Sequence, residues 1–254
     1  MNSPENRPDL IASQLGWNPG FFPVLLACIV GGFLGGAIVL QTHPFFAYEE
    51  LPPLDFGSPP ELVKQHHDAE TAYRTQNYAT EFAIIGLAFG ICIGAFTGGN
   101  RFLLCAIGGG CVGALTGMGL GYASGLYITQ KLLVNAEQTL QASMGLQTVV
   151  WGVVLANIVA LVSVLKAGIV RVWMYRLVGL AAGFSVAVLQ FVISSLMFPN
   201  ANPIFLVPEN ASERAYWLAV FPVTAGLVLA LGLNKLTPQP SRKIASDLDT
   251  TRVS

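Results

Sequence analysis

Charged residues are scarce in this sequence: Asp, Glu, Lys and Arg make up only 11% of its 254 residues, whereas 53% are hydrophobic. A soluble domain usually carries about twice that charged fraction. The net charge of −1 offers no electrostatic basis for binding nucleic acid. Composition therefore excludes an ordinary soluble protein and a nucleic-acid partner, and it indicates a protein whose first partner is the lipid bilayer.

Because charged residues are few and lie mostly between them, six long stretches of the sequence are apolar. Each is close to or above the ~17–25 residues that cross the core of a bilayer. They cover about residues 21–40, 82–98, 102–128, 147–166, 173–198 and 215–233. The sequence predicts an all-α integral membrane protein with six transmembrane helices packed tightly over residues 21–233. The first stretch lacks the basic flank and cleavage site of a signal peptide, so we expect a retained span.

Groups that carry catalysis or bind metals are scarce as well. The three histidines, His43, His66 and His67, lie between the first two apolar stretches, and the centres of the stretches contain no Asp, Glu, Lys, Arg or His. Proton pumps and ion-coupled transporters place ionisable residues there. All four cysteines lie within apolar stretches, where a small packing residue is their usual role. We expect no enzyme, no catalytic residue and no cofactor.

The best ligand cluster in the sequence is His66-His67-Asp68-Ala69-Glu70. On a helix, His66 or His67 shares a face with Glu70. A metal site usually needs three or four ligands held by rigid elements. We therefore interpret this stretch as a solvated helix face and predict no metal site.

Two further motifs resemble sites of known chemistry. Residues 108–113 have the glycine spacing of a dinucleotide fingerprint, but they lie within an apolar stretch without the strand and acidic residue that the fingerprint needs. Tyr122-Ala123-Ser124-Gly125 resembles the serine motif of rhomboid proteases over two residues. That family needs a histidine base within the membrane, and the apolar stretches here contain none. We assign Ser124 to helix packing.

Glycine, by contrast, is abundant, with 27 residues. Two runs recur at every fourth residue of consecutive apolar stretches, and that spacing places each run on one helix face. The runs are Gly86, Gly90, Gly94 and Gly98, then Gly109, Gly113, Gly117, Gly121 and Gly125. In water each glycine costs roughly 1 kcal/mol relative to alanine, but in lipid the backbone must bond within its own segment. We predict a glycine zipper in which these two faces pack together.

The second and third helices are expected to extend beyond the membrane. Ser58 followed by Pro59, Pro60 and Glu61 predicts a helix start with a capping box, and no breaker follows before residues 98–100. A helix of this length is about 60 Å long, twice the bilayer core. The helix of the third stretch is expected to continue outward as well. The exterior loop and stalk would comprise residues 41–81 and 129–145.

Lysine and arginine are unevenly distributed between the two sides: nine lie on the side of the termini and four on the other. The positive-inside rule places both termini in the cytoplasm, with the protein in the cell (inner) membrane. Residues 1–20 form a short arm and residues 234–254 a disordered tail. Trp17, Trp151, Trp173 and Trp217 all fall near span ends, which predicts interfacial anchors.

These features favour a multi-pass protein of structural or partner-binding type, with the glycine hairpin as its packing core and the stalk as its interaction surface. Other membrane proteins or a second copy are the expected partners. The alternative is a channel or facilitator for a small solute, with glycine-faced helices lining its path. Selective solute flux through liposomes would separate the two hypotheses.

Overall fold

The computed structural model describes residues 19–132, 139–198 and 206–236. Of these described residues 86% are helical, and none lies in a strand. The helices are α1 (Phe21–Thr42), α2 (Pro60–Thr97), α3 (Phe102–Tyr127), α4 (Thr139–Ala167), α5 (Val172–Met197) and α6 (Ala211–Lys235). All six contain segments long and apolar enough to cross a membrane, which confirms the predicted all-α polytopic membrane fold. The expected arm and tail fall mostly on residues 1–18, which include Trp17, and 237–254, and these lie outside the described residues.

The six helices are arranged as a closed ring. Each helix packs on the next one along the chain, and α6 packs on α1. The turns from α2 to α3 and from α4 to α5 are single 3₁₀ turns, Gly99–Arg101 and Ile169–Arg171. Such short turns make antiparallel hairpins of these two pairs. The first of these turns also contacts the end of α4, because Arg101 donates to the carbonyl of Leu165 at 2.7 Å.

Aromatic side chains from α2, α4 and α6 fill the loop-side half of the ring, the half nearest the segment between α1 and α2. Because these helices are not neighbours along the chain, side chains that join them lie inside the ring. The rings of Trp151 and Phe221 have centroids 3.9 Å apart, and Trp151 also lies 4.8 Å from Phe82 and 5.4 Å from Trp217. Phe89 continues the cluster, 5.0 Å from Phe221.

This packing corrects the prediction that the tryptophans are interfacial anchors. Trp151 and Trp217 are each only 1% exposed, because they turn toward one another and toward the phenylalanines. Trp173 is 71% exposed, as an anchor requires. Position near a span end does not distinguish the two cases, because a span end has an inward face as well as an outward one.

The capping box predicted at the start of α2 is also wrong. The N-cap residue is Pro59, and no side chain caps the helix. The hydroxyl of Ser58 instead accepts a hydrogen bond from the backbone N–H of Asp55 at 2.7 Å, and the N–H of Ser58 donates to the carbonyl of Asp55. Ser58 therefore closes the preceding turn. From Pro60 the helix runs unbroken for 38 residues, about 57 Å at 1.5 Å per residue.

The expected outward continuation of the third helix lies partly outside the described residues. α3 ends at Tyr127 and continues as a π-helical segment, Ile128–Leu132, which contacts α2, and the described chain resumes at Thr139 in α4. The non-helical segment 43–56, which we call the strap, lies along residues 66–81 of α2.

Candidate functional site

The glycine faces of α2 and α3 lie against each other's backbone. A Cβ atom built on Gly86 would lie 2.6 Å from the carbonyl carbon of Gly113, and one on Gly113 would lie 2.7 Å from that of Gly86. Gly109 faces Gly90 in the same way, at 2.5 Å from its oxygen. Real Cβ atoms essentially never come within 3.0 Å of such atoms. These positions have no room for any side chain.

The remaining glycines of the two runs continue this register. Each step of four along α3 is matched by a step of four back along α2, as expected for an antiparallel hairpin. Cβ atoms would meet backbone atoms of the facing helix at 2.5–2.7 Å, for Gly94 at Ala106, Gly117 at Phe82, Gly121 at Tyr78 and Gly125 at Thr75. Gly98 lies in the turn, where a Cβ would be 2.6 Å from Cα of Phe102. Gly119 is different, because nothing lies within 4 Å of its Cβ position.

α1 carries two adjacent glycine faces that the sequence analysis missed. Cβ atoms on Gly31 and Gly35 would meet the α2 backbone, at 2.9 Å and 3.0 Å. On the next face, Gly32 lies against Pro222 of α6, and a Cβ on Gly36 would lie 3.1 Å from Leu218. α1 is therefore wedged between α2 and α6. The signal was present as paired glycines four residues apart.

α4 and α5 approach each other closely in the same manner. A Cβ on Gly183 would lie 2.7 Å from the carbonyl carbon of Trp151, and one on Gly179 would lie 2.9 Å from that of Leu155. Small residues thus bring backbones together in both hairpins. Between the hairpins the contact is different in kind, with Asn157 of α4 donating to Thr116 of α3 at 3.5 Å.

A polar layer lies inside the bundle where the strap meets α2 and α6. The side chain of Glu81 is completely buried and pairs through Oε1 with Nδ1 of His43, at the end of α1. Arg214 of α6 is also buried, and Nη1 donates to the carbonyl oxygens of Pro208 and Glu209 at 2.8 and 3.0 Å. These bonds fasten the chain before α6 to the loop-side end of the ring.

A second buried arginine extends the layer outward. Nε of Arg74 donates to Oε1 of Glu70 one turn earlier on α2, and Nη2 lies 3.5 Å from Oε1 of Glu209. Arg74 therefore connects the stalk part of α2 to the segment that precedes α6. Because one partner of each pair is buried, these contacts are less screened by water than ordinary surface salt bridges.

Four buried polar atoms in and around this layer have no hydrogen-bond partner within the described part of the chain. They are Oε2 of Glu81, Nε of Arg214, and the indole nitrogens of Trp151 and Trp217. Trp217 follows Arg214 by three residues on α6, and Trp151 packs on Phe82, next to Glu81. The layer therefore combines buried charged groups with polar atoms that have no partner among the described residues.

Sequence reasoning missed this layer. Glu81 directly precedes the apolar stretch 82–98, and Arg214 directly precedes 215–233, so sequence position alone predicts both charges outside the membrane core. The sequence likewise predicts His43 in an exterior loop. The available signal was a pair of opposite charges bordering two spans at the same end of the bundle.

The strap runs along α2 in the opposite direction and is fastened to it at four levels. As the residue number rises along the strap, that of its α2 partner falls. The pairs are His43 with Glu81, Phe46 with Asn77, Tyr48 with Tyr73, and Pro52 with His66. The Asn77 amide both accepts from the N–H of Phe46 at 3.0 Å and donates to its carbonyl at 3.1 Å. The strap is thus held in register, although it has no regular secondary structure.

The histidines and acidic residues of the stretch 66–70 on α2 are not brought together. Nε2 of His66 lies 2.7 Å from the carbonyl oxygen of Pro52, and Glu70 pairs with Arg74. The side chain of His67 is exposed. Among the described residues, no group of three or more His, Cys, Asp or Glu side chains is placed to hold a metal ion.

The geometry defines the class of protein: an α-helical, multi-pass membrane protein with closely packed hairpins, a filled centre and a projecting helix. No protein-family model, curated protein or solved structure matches this chain. Its molecular role therefore has to be argued from its own residues.

Proposed function

We propose that this protein is a structural or partner-binding component of the cell (inner) membrane and carries out no catalysis. The glycine zipper of α2 and α3 forms its packing core, and the projecting part of α2 with the strap forms its interaction surface. The observation that carries this proposal is the filled centre of the ring, where Trp151 and Phe221 lie 3.9 Å apart. A rigid bundle with a filled centre suits a protein that presents an interaction surface in a fixed position.

The alternative, a channel or facilitator, fits these contacts less well. A solute path lined by glycine needs glycine faces that meet water. Here the glycines of α2 and α3 face the backbone of the other helix, and the aromatic cluster occupies the space between α2, α4 and α6. A conducting state would have to displace several large buried side chains.

The proposed absence of catalysis rests on the sequence, since the apolar stretch that contains Ser124 offers no histidine as a base. The orientation of the protein in the membrane is proposed from the distribution of lysine and arginine. It places the termini in the cytoplasm and the strap outside. Partners would then meet the strap and stalk on the exterior side.

Two measurements on the full chain test this proposal. In the first, the purified protein in liposomes should give the same stopped-flow permeability to water, glycerol and potassium ions as empty liposomes. In the second, membranes solubilised in a mild detergent should yield a complex of discrete size, larger than the purified chain alone. Selective flux, together with a chain that migrates alone, would overturn the proposal in favour of the channel.

A further inference from the structure

The exterior end of the strap presents apolar side chains where no lipid would cover them. Pro52, Pro53 and Leu54 are exposed, and Phe56 is fully exposed. On the transmembrane helices exposed apolar residues face lipid, but Pro52 pairs with His66, fifteen residues before Glu81 on α2. Fifteen residues of helix correspond to about 22 Å. The apolar end of the strap therefore lies well away from Glu81 and from the apolar stretch that begins at residue 82.

This end of the strap is also acidic. Glu49, Glu50 and Asp55 are exposed and flank the apolar residues 51–54. In the described structure these three carboxylates take part in no ion pair. Three uncompensated negative charges around an apolar segment are a pattern that a positively charged rim would complement.

The conformation of the strap is prepared for binding. Proline restricts the backbone at positions 52 and 53, and the residue before a proline is held extended. The carbonyl of Pro52 is fastened to His66, and Asp55 is fastened to Ser58. An extended proline-containing segment that is already ordered loses little conformational entropy on docking, which is how aromatic-lined grooves recognise such segments.

We propose that the strap segment Glu49–Phe56 is the docking site for an exterior protein domain with an apolar, aromatic-lined groove and a basic rim. This inference rests on the proposed exterior placement of the strap and deepens the proposed partner-binding function. Charge selects this occupant over two others. A second copy would present the same acidic segment, and a membrane surface with anionic lipids would repel it.

The test is site-specific photo-crosslinking of the full-length protein in its native membranes. The photoreactive amino acid p-benzoylphenylalanine replaces Phe56 in one variant and Phe184 in another. Phe184 is an exposed residue of α5 and serves as the control for lipid-facing positions. We expect the Phe56 variant to give one discrete protein adduct that the Phe184 variant does not give. The adduct should weaken as salt is raised from about 0.05 to 0.5 M, because the rim charges are solvent-exposed.

A charge-neutralised variant makes the test specific. The changes Glu49→Gln, Glu50→Gln and Asp55→Asn should weaken binding of the purified partner by about tenfold. Asp68→Asn, at an exposed acidic residue of α2 outside the strap, should leave it unchanged. Thermal stability should be equal in both variants, which excludes misfolding as the cause.

Four outcomes overturn the inference: no adduct at Phe56, an adduct between two copies of this chain, an adduct with lipid, or a protein adduct insensitive to salt and to charge neutralisation. The proposed function fails separately, through selective flux and a chain that migrates alone. If the protein migrates in a discrete native complex but the Phe56 variant gives no adduct, the strap is rejected as the docking site. The partner-binding role is then retained.

Discussion

Replacing Gly113 with alanine adds a single carbon atom at the closest approach of α2 and α3. That Cβ would start 2.7 Å from the carbonyl carbon of Gly86, whereas ordinary van der Waals contact begins near 3.4 Å. The atoms in the way belong to the backbone of a packed helix, so no side-chain rotation can relieve the clash. The two helices have to move apart.

The cost follows from the length of the interface. A gap of about 0.5–1 Å forfeits about a quarter to a half of the dispersion attraction between facing atoms. Because the same register runs from Gly125 to Gly94, separation at the middle weakens contacts at several levels at once. Overpacking usually costs about 1–3 kcal/mol, and we expect Gly113→Ala to lie in the upper half of that range. Gly113→Leu should cost more.

Gly119 provides a matched control on the same helix. Nothing lies within 4 Å of its Cβ position, so Gly119→Ala introduces no clash. Alanine is favoured over glycine in a helix by up to about 1 kcal/mol. The two substitutions should therefore change stability in opposite directions, although their chemistry is identical.

The assay is thermal unfolding of the purified protein in detergent, followed through the fluorescence of the buried Trp151 and Trp217. For a chain of this size, 1 kcal/mol corresponds to about 2–4 °C in Tm. Gly113→Ala should lower Tm by about 4–12 °C, and Gly119→Ala should leave Tm unchanged or raise it slightly. Equal effects of the two substitutions would refute the close approach of α2 and α3 and would favour glycine faces that meet lipid or water.

Three further predictions concern other parts of the molecule. His43→Ala should destabilise the protein by about 3–5 kcal/mol in denaturant unfolding, because it leaves the buried Glu81 carboxylate without its partner. Adding Glu81→Ala to this variant should restore part of the lost stability. If the losses of the two substitutions are simply additive, the pairing of His43 with Glu81 is contradicted. Gly183→Ala should lower Tm, whereas Gly145→Ala, where nothing lies within 4 Å, should not; equal shifts would argue against the close approach of α4 and α5. A cysteine at Gln65 should react with a membrane-impermeant maleimide from outside the cell, and labelling from the cytoplasmic side alone would reverse the proposed topology.

Much of the fold could be predicted from the sequence because the relevant forces are local. A bilayer requires each span to satisfy its own backbone, so apolar length predicts the six helices almost independently of their packing. The short turns at Gly99–Arg101 and Ile169–Arg171 then make neighbours of the helices they join. Glycine spacing identifies a helix face in the same local way, as at Gly86 and Gly90.

Helix partners and buried charges, by contrast, depended on the tertiary structure. The spacing of the four glycines of α1 does not show which helices pack against them. The tertiary structure shows that they face α2 and α6. The position of Glu81 beside an apolar stretch is equally consistent with water or with burial, and the contact with His43 decides for burial.

Residue type and spacing along single segments were enough to predict the class of protein, the number of spans and the helix faces on which glycine lies. The burial of Trp151 and Trp217 in the centre of the bundle follows instead from the tertiary packing. The packing also places the strap along residues 66–81 of α2. Both outcomes depend on which distant segments share one volume, and that choice is made by contacts between residues far apart in the chain.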